Sequence, residues 1–152
     1  MKLHLGVIDV PEPYGEKTTY EVGKLLEEKY TLFSAFVDNK TENIANHLAE
    51  GLEQAIAQMA LGVPFQNSIN AGASMIEEDL KKWIYLQEVE KAGIAGVPTQ
   101  SALDGTNYRM KGISAKQYVK GKRGTVIKTK NARRPSFIYS GVLEASLKAW
   151  IE

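Results

Sequence analysis

Residues 109–134 contain ten Lys and Arg residues and not one Asp or Glu. Charge runs of this kind are usually solvated, so we expect the segment to project from the folded domain rather than to enter its core. The remaining residues then have to supply the helices and strands that bury apolar side chains.

The charge of the whole chain is divided between its two halves. Residues 1–90 carry seven Lys and Arg against fifteen Asp and Glu, a net −8, and residues 91–152 carry twelve against three, a net +9. Such a separation suits a molecule that contacts copies of itself or a polyanion. If the acidic face of one copy meets the basic face of the next, the contact is head-to-tail and closes into a ring when the rotation allows. The simpler alternative is a solvated basic hairpin that has no special partner.

Length and composition predict one globular domain over residues 1–152. The hydrophobic content of 43% and the charged content of 24% are ordinary for a folded protein. The absence of cysteine excludes disulfide bonds and thiolate metal sites. No apolar run approaches the roughly 20 residues of a membrane span, and the first residues lack a cleavage-site pattern. We therefore expect a protein of a reducing, cytoplasm-like compartment with no membrane partner.

The first forty residues predict a strand and a helix. Apolar residues alternate over residues 3–10 until Pro11, which predicts a short strand. Thr18 and Glu21 have the spacing of a capping box and predict a helix that begins between them. The apolar cluster at residues 32–37 fits either a continuation of this helix or a short extended piece.

The middle of the chain predicts two further helices. Thr41 is the predicted cap of the first, and Gly62 is its predicted end. Residues 62–73 are small and polar and predict a flexible connection. Ser74 then opens a helix that Gly93 closes. The apolar positions of the first of these helices recur at steps of three and four: Ile44, Leu48, Leu52, Ala55, Ile56 and Met59.

The last third predicts a flexible segment, a hairpin and a closing helix. Residues 94–112 are rich in turn formers and predict a second flexible segment, with room for one helical turn at 99–103. Residues 117–119 and 125–127 are β-branched and aromatic and predict a basic β-hairpin. Ser140 is the predicted cap of the closing helix. One face of that helix would present Leu143, Leu147, Trp150 and Ile151.

These elements predict an α+β fold. We expect three to four helices packed on a small, mostly antiparallel sheet, with the basic β-hairpin projecting from it.

The chain offers few groups suited to catalysis. His4 and His47 are the only histidines, and neither has ligand-like spacing around it. The acids of residues 77–79 fall in the predicted first turn of a helix, where the helix dipole explains them more simply than a divalent ion. No phosphate-binding loop, nucleophile elbow or zinc-binding helix motif occurs. We therefore expect a protein that is not an enzyme and that needs no cofactor and no metal.

Nucleic-acid binding is an alternative reading of the basic segment. Lys and Arg on a reachable face bind phosphates, and Tyr108 and Tyr118 have rings that could stack on single-stranded bases. The rest of the chain is acidic and has no helix-turn-helix or sheet platform. A basic strip that faces a DNA channel inside an assembly therefore fits better than a free DNA-binding protein.

Three pieces of the chain carry a resemblance to a known group. The C-terminal string RRPSFIYSGVLEASLKAWIE joins an Arg-Pro-Ser-Phe turn to a small-residue cap and an amphipathic segment with a Trp near its end. The opening MKLHLGVIDVP is the second piece. The third is GVPT at residues 96–99 with Ala102, Leu103, Gly105, Asn107 and Arg109. Together they resemble the neck and tail-completion proteins, or head–tail connectors, of tailed bacteriophages.

The resemblance implies a virion structural protein. Proteins of that group form rings between head and tail, often of six copies, and are made in the bacterial host cytoplasm. The implied partners are further copies of this chain in a ring, expected to be a hexamer, and adjacent neck, portal-adaptor or tail tube and sheath proteins. The resemblance also implies non-specific contact with packaged DNA. A tail terminator or another tail ring protein is the alternative within the same class.

Thirteen residues are candidates for these contacts. Pro135 would fix the entry to the closing helix, and Phe137 and Trp150 would anchor it, either in the subunit core or against the adjacent copy. The basic candidates would face either a neighbouring subunit or a DNA channel. They are Arg109, Lys111, Lys116, Lys120, Lys122, Arg123, Lys128, Lys130, Arg133 and Arg134.

Overall fold

A computed structural model describes residues 2–12, 16–64, 66–103, 105, 118–120, 126–128, 133–138 and 141–152. Within these ranges the chain is mostly helical and carries a small antiparallel sheet, so the α+β prediction is confirmed at this level. The elements in order are β1 Leu3–Val7, α1 Thr19–Tyr30, α2 Leu32–Ala60, α3 Gln66–Tyr85, a 3-10 turn Glu88–Lys91, α4 Gln100–Leu103, β2 Tyr118–Lys120, β3 Val126–Lys128, α5 Val142–Ser146 and β4 Leu147–Ile151.

The first and last strands pair with each other. β1 and β4 run antiparallel, with Leu3 opposite Ile151 and Val7 opposite Leu147. The predicted strand at the start of the chain is therefore confirmed. Beyond the strands, the backbone of Lys2 and that of Glu152 exchange hydrogen bonds at 2.5 and 2.9 Å.

The prediction of a closing helix through Trp150 is wrong. Helix α5 ends at Ser146, and the residues after it form β4. Leu147 is fully buried while Lys148 is exposed, so burial follows the two-residue period of a strand. Pairing with β1 satisfies backbone groups of this segment and overrides the helix preference of Leu147, Lys148 and Ala149. The predicted cap Ser140 lies outside the described residues.

The capping box at the start of α1 is confirmed. The Thr18 hydroxyl accepts a hydrogen bond from the Glu21 amide at 3.4 Å, and the Glu21 carboxylate accepts one from the Thr18 amide at 3.0 Å. Helix α1 ends where Thr31 takes a left-handed backbone conformation, with φ of 49°. Residues 32–37 form the first turns of α2, which resolves the alternatives left open for that cluster.

Helix α2 begins nine residues earlier than the predicted cap at Thr41. The Thr41 hydroxyl donates to the Val37 carbonyl at 2.7 Å, a bond within the helix rather than at its start. A kink at Lys40, with φ of −119° and ψ of 18°, marks the predicted boundary. The end was predicted well, because α2 stops at Ala60 and Gly62 follows with φ of 69°.

The structure corrects the prediction of a connection over residues 62–73. Residues 66–73 are the first two turns of α3, and Ser74 lies inside that helix, where its hydroxyl donates to the Asn70 carbonyl at 3.0 Å. The small residues that suggest a loop serve helix packing instead. A Cβ atom on Gly72 would stand 2.7 Å from the His47 carbonyl oxygen of α2. The helix also ends at Tyr85, before the predicted stop at Gly93.

The hydrophobic core lies between α1, the first half of α2, the second half of α3 and the C-terminal strand. At its centre the ring of Phe36 meets the ring of Trp83 edge to face, with centroids 5.6 Å apart. The buried cluster consists of Val22, Leu26, Leu32, Phe36, Ile44, Ile76, Leu80, Trp83, Ile84, Val89, Leu143 and Leu147.

Strands β2 and β3 pair antiparallel, with Val119 opposite Ile127. The turn between them, residues 121–125, lies outside the described part of the chain. The projecting basic hairpin therefore stays a prediction. Among the helices that the structure describes, none combines the length and the apolar character needed to cross a bilayer.

Candidate functional site

The two chain segments that flank the basic stretch lie side by side. The Arg134 amide donates a hydrogen bond to the Ala102 carbonyl at 2.9 Å. Residues 133–138, which we call the returning chain, therefore lie next to the end of α4. Residues 106–132, between these two points, contain eight Lys and Arg and no acid.

Ser136 holds this junction together. Its side chain is fully buried, its amide donates to the Gln87 side-chain oxygen at 2.7 Å, and its hydroxyl donates to the Glu90 carboxylate at 2.7 Å. The Thr99 amide donates to the same hydroxyl at 3.3 Å. We call Gln87, Glu90, Thr99 and Ser136 the Ser136 cluster. It joins three stretches of chain that lie far apart in the sequence.

Of the ten basic candidates, Arg133 and Arg134 have described side chains, and both have partners within the subunit. The Arg133 guanidinium forms an ion pair with Glu90, whose other carboxylate oxygen accepts from Ser136. The Arg134 guanidinium donates to the Ile138 carbonyl at 3.2 Å. These two arginines therefore help to fix the returning chain.

Of the other eight, Lys120 lies in β2 and Lys128 in β3. The remaining six lie outside the described residues. They are Arg109, Lys111, Lys116, Lys122, Arg123 and Lys130.

Phe137 anchors the returning chain inside the subunit. Its backbone has φ of 64°, a left-handed conformation that side-chain-bearing residues rarely adopt. Its ring packs edge-on against Tyr30, with centroids 5.2 Å apart, and contacts the core cluster. Pro135, two residues before it, is exposed. The described contacts of the Phe137 ring lie within the subunit, and a contact with the adjacent copy stays a prediction.

Trp150 lies on the sheet rather than in a helix. Its ring stacks on that of His4, with centroids 5.3 Å apart and planes 10° from parallel. A Cβ atom on Gly6 would stand 3.0 Å from the same indole, so glycine makes room for it. The Trp150 residue nevertheless remains 43% exposed. This face of the sheet is therefore a half-open aromatic surface, and His4 is part of its packing.

The acidic triplet of residues 77–79 stands in the middle of α3, so the interpretation as a first-turn dipole effect is wrong. Glu77 accepts hydrogen bonds from Lys81 at 2.6 Å, from Lys148 at 3.0 Å and from the Ala149 amide at 3.4 Å. Burial alone would raise the pKa of Glu77, but the two ammonium groups and the amide outweigh it and lower that pKa. Glu77 thus ties α3 to β4.

The other two acids also have partners. Glu78 pairs with Lys82 along the helix, and Asp79 reaches across to His47 of α2 at 3.0 Å. His47 is therefore part of a contact between helices. In the part of the chain that the structure describes, no three His, Asp or Glu side chains come together as a metal site would require.

The apolar positions of α2 do not share one buried face. Ile44 and Ala55 are buried, whereas Leu52, Ile56 and Met59 are 44 to 58% exposed. The spacing of apolar residues did not separate the two groups, because both recur at helical intervals. The six positions span about 120° around the helix, an ordinary width for an apolar face, so their arc carries no signal of the exposed part.

The sequence does not predict the Ser136 cluster, although Ser136 lies in the Arg-Pro-Ser-Phe turn and Thr99 in the GVPT string. Its members stand up to 49 residues apart, and only the fold brings them together.

Comparison of the chain with protein-family models, with curated proteins and with solved structures finds no match.

Proposed function

We propose that this chain is a non-enzymatic structural subunit of a tailed-bacteriophage virion. In this proposal it forms a homo-oligomeric ring in the neck or at the head-proximal end of the tail. A tail terminator is the nearest alternative and differs in position rather than in physical role.

The observation that carries the proposal is the hydrogen bond between the Arg134 amide and the Ala102 carbonyl. It fixes both ends of a stretch that has eight Lys and Arg and no acid. A charged stretch held at its base can meet an acidic neighbour in a defined register, because complementary charges fix orientation more than they add affinity. The chain supplies the acidic partner surface itself, in its first ninety residues.

The resembling pieces give further support. Thr99 belongs to one piece and Ser136 to another, and the two are hydrogen-bonded in the Ser136 cluster. Motifs 37 residues apart thus act as one structural unit at the base of the basic stretch. We expect this if the motifs that resemble the phage proteins serve the structure of the subunit rather than a catalytic centre.

The test is the mass of the full-length protein in solution at rising ionic strength. If opposite charges hold the ring together, the mass should be a discrete multiple of the chain mass at about 0.05 M NaCl. The ring should dissociate toward about 1 M NaCl, because the distance over which exposed charges interact falls to about 3 Å there. Light scattering coupled to gel filtration measures the mass, and electron microscopy of the same fraction shows whether it is a ring.

Charge reversal supplies the control. The triple variant with Lys120→Glu, Lys122→Glu and Arg123→Glu should assemble less than the wild type. Reversal of Lys24 and Lys29, which lie on exposed positions of α1 in the acidic half, should not weaken assembly. A strict monomer at low salt and high concentration would contradict the proposal.

A further inference from the structure

The second half of α2 and the start of α3 form a helical arm, residues 49–64 and 66–72. The core cluster takes residues of α2 only as far as Leu48. Beyond it the buried residues of α2 are Gly51 and Ala55. A Cβ atom on Gly51 would stand 3.0 Å from the Ser68 carbonyl oxygen, so the two backbones lie close and little side-chain volume is buried between them.

The arm exposes a row of large apolar side chains. Leu52, Ile56 and Met59 follow one another at steps of four and three, which places them on one face of α2. Leu61 and Val63 continue the row past the helix end, and Leu61 is 78% exposed. Single exposed apolar residues are ordinary, but five within twelve positions are typical of a surface that another molecule covers.

The charge beside this row is purely negative. Residues 41–80 contain six Asp and Glu and no Lys or Arg. Three of the acids, residues 77–79, have partners in the subunit. The other three, Glu42, Glu50 and Glu53, are exposed, and none of them forms an ion pair with a described residue. At about 100° per residue, Glu42 and Glu53 fall within about 60° of Ile56 around the helix, next to the apolar row, whereas Glu50 lies on the far side of α2.

We propose that the apolar row of the arm is covered by a second copy of this chain, through the copy's basic half. The arm of one copy against the arm of another would bring unpaired carboxylates together, which is unfavourable. Residues 91–152 carry a net charge of +9, which is opposite in sign to the charge of the arm. The contact therefore joins two different surfaces.

This inference rests on the proposed function and specifies the surface through which the ring forms. A contact between two different surfaces leaves each copy with one free arm and one free basic half. Such contacts close into rings or continue as filaments, and they do not stop at a dimer.

The first test removes apolar surface from the arm without changing its charge. In the double variant Ile56→Asn with Met59→Gln, each lost side chain would weaken a buried contact, so the concentration at half assembly should rise roughly tenfold or more. The matched control is Tyr20→Asn with Leu25→Gln, because these residues of α1 are comparably exposed. Light scattering over a dilution series measures both, and far-UV circular dichroism checks that both variants fold.

The outcomes separate the inference from the proposed function. If the wild type assembles and the arm variant assembles equally well, the arm is not the interface, and the ring proposal stands. If the wild type stays monomeric at every salt concentration, both fail. If the arm variant is monomeric and the α1 variant assembles, the inference holds.

A second measurement does not depend on the fold of the arm variant. A photo-activated cross-linking residue at position 56 of the full chain is irradiated in an equimolar mixture of ¹⁴N- and ¹⁵N-labelled protein, and mass spectrometry identifies the mixed-isotope peptides. Cross-links from the arm to residues 91–152 of the other copy are the expected result. Cross-links confined to arm against arm would overturn the inference.

Discussion

Ser136 fixes the geometry at the base of the basic stretch. One buried hydroxyl donates to Glu90 and accepts from Thr99, and the adjacent amide donates to Gln87. A buried polar group of this kind contributes modestly while it is satisfied, and its removal is costly because it leaves the partners unpaired. The returning chain therefore depends on this residue more than on the exposed Pro135 before it.

Replacement of the serine tests this dependence. Ser136→Ala should lower the free energy of unfolding by about 1–3 kcal/mol, because it leaves the Thr99 amide without its acceptor and removes a hydrogen bond from Glu90. Urea unfolding followed by circular dichroism measures the change. Ser74→Ala, at an exposed position of α3, should change it by less than about 0.5 kcal/mol. Equal effects of the two substitutions would show that the cluster contributes no special stability.

At the scale of elements, the packing of α2 on α3 depends on glycine. Gly51 and Gly72 meet across the interface, and each faces a backbone carbonyl of the other helix. In a helix interior, glycine is normally a disadvantage of about 1 kcal/mol relative to alanine. Here the missing Cβ allows the close approach, so the ordinary preference is reversed.

Alanine at these glycines should therefore destabilise the protein. Gly72→Ala places a Cβ 2.7 Å from the His47 carbonyl oxygen, and we expect a loss of about 1–3 kcal/mol in thermal or urea unfolding. Gly23→Ala in α1 is the matched control, because its nearest neighbours are Val7 methyl groups at 3.3 and 3.4 Å, which can move. A Gly72 variant as stable as the Gly23 variant would refute close backbone packing.

The elements differ in how far the sequence predicts them. The capping box at Thr18 and the start of β1 are local signals, and both predictions are confirmed. The start of α3 at Gln66 depends on close contact with α2, and β4 depends on pairing with residues at the other end of the chain. Neither dependence is visible in a window of neighbouring residues, so residues 66–73 were predicted as a loop and β4 as a helix.

The candidate site was predictable in part. The positive charge of residues 106–132 can be counted directly from the sequence. Ser136 and Thr99 both lie in motifs of the sequence analysis. Their contact requires α3, the 3-10 turn and α4 to be in place. The division of the apolar residues of α2 into buried and exposed ones depends in the same way on where α3 lies.

At the scale of the whole molecule, contacts between residues far apart in the sequence hold the first strand, the helices and the last strand together. Strands β1 and β4 pair, and Glu77 of α3 binds Lys148 and the Ala149 amide of β4. The same carboxylate binds Lys81 of its own helix. One acid thus connects the second half of the helical core to the sheet.

This connection makes stability depend on pH. Because the pKa of Glu77 is lower in the folded protein than in the unfolded chain, its stabilising effect is complete above its ordinary pKa and is lost as the pH falls through the folded value. The wild type should lose stability below about pH 5. Glu77→Gln should lose less over the same range, as measured by urea unfolding at a series of pH values.

The neighbouring acid is the control for this experiment. Glu78 is exposed and pairs only with Lys82 along the helix among the described residues. Glu78→Gln should leave the acid dependence close to that of the wild type. If Glu77→Gln follows the wild-type curve at low pH, the carboxylate does not supply the acid-sensitive stability.

The hydrogen bond between Ala102 and Arg134 also bears on how such a protein can diverge. A stretch that starts and finishes at one point can be lengthened, shortened or rewritten with little effect on the scaffold, since the entropy of closing a flexible loop changes by only about 0.6 kcal/mol for each doubling of length. We therefore expect substitutions between residues 106 and 132 to leave the hydrogen bond between Arg134 and Ala102 in place. Recognition of a neighbour can evolve there while the rest of the domain stays the same.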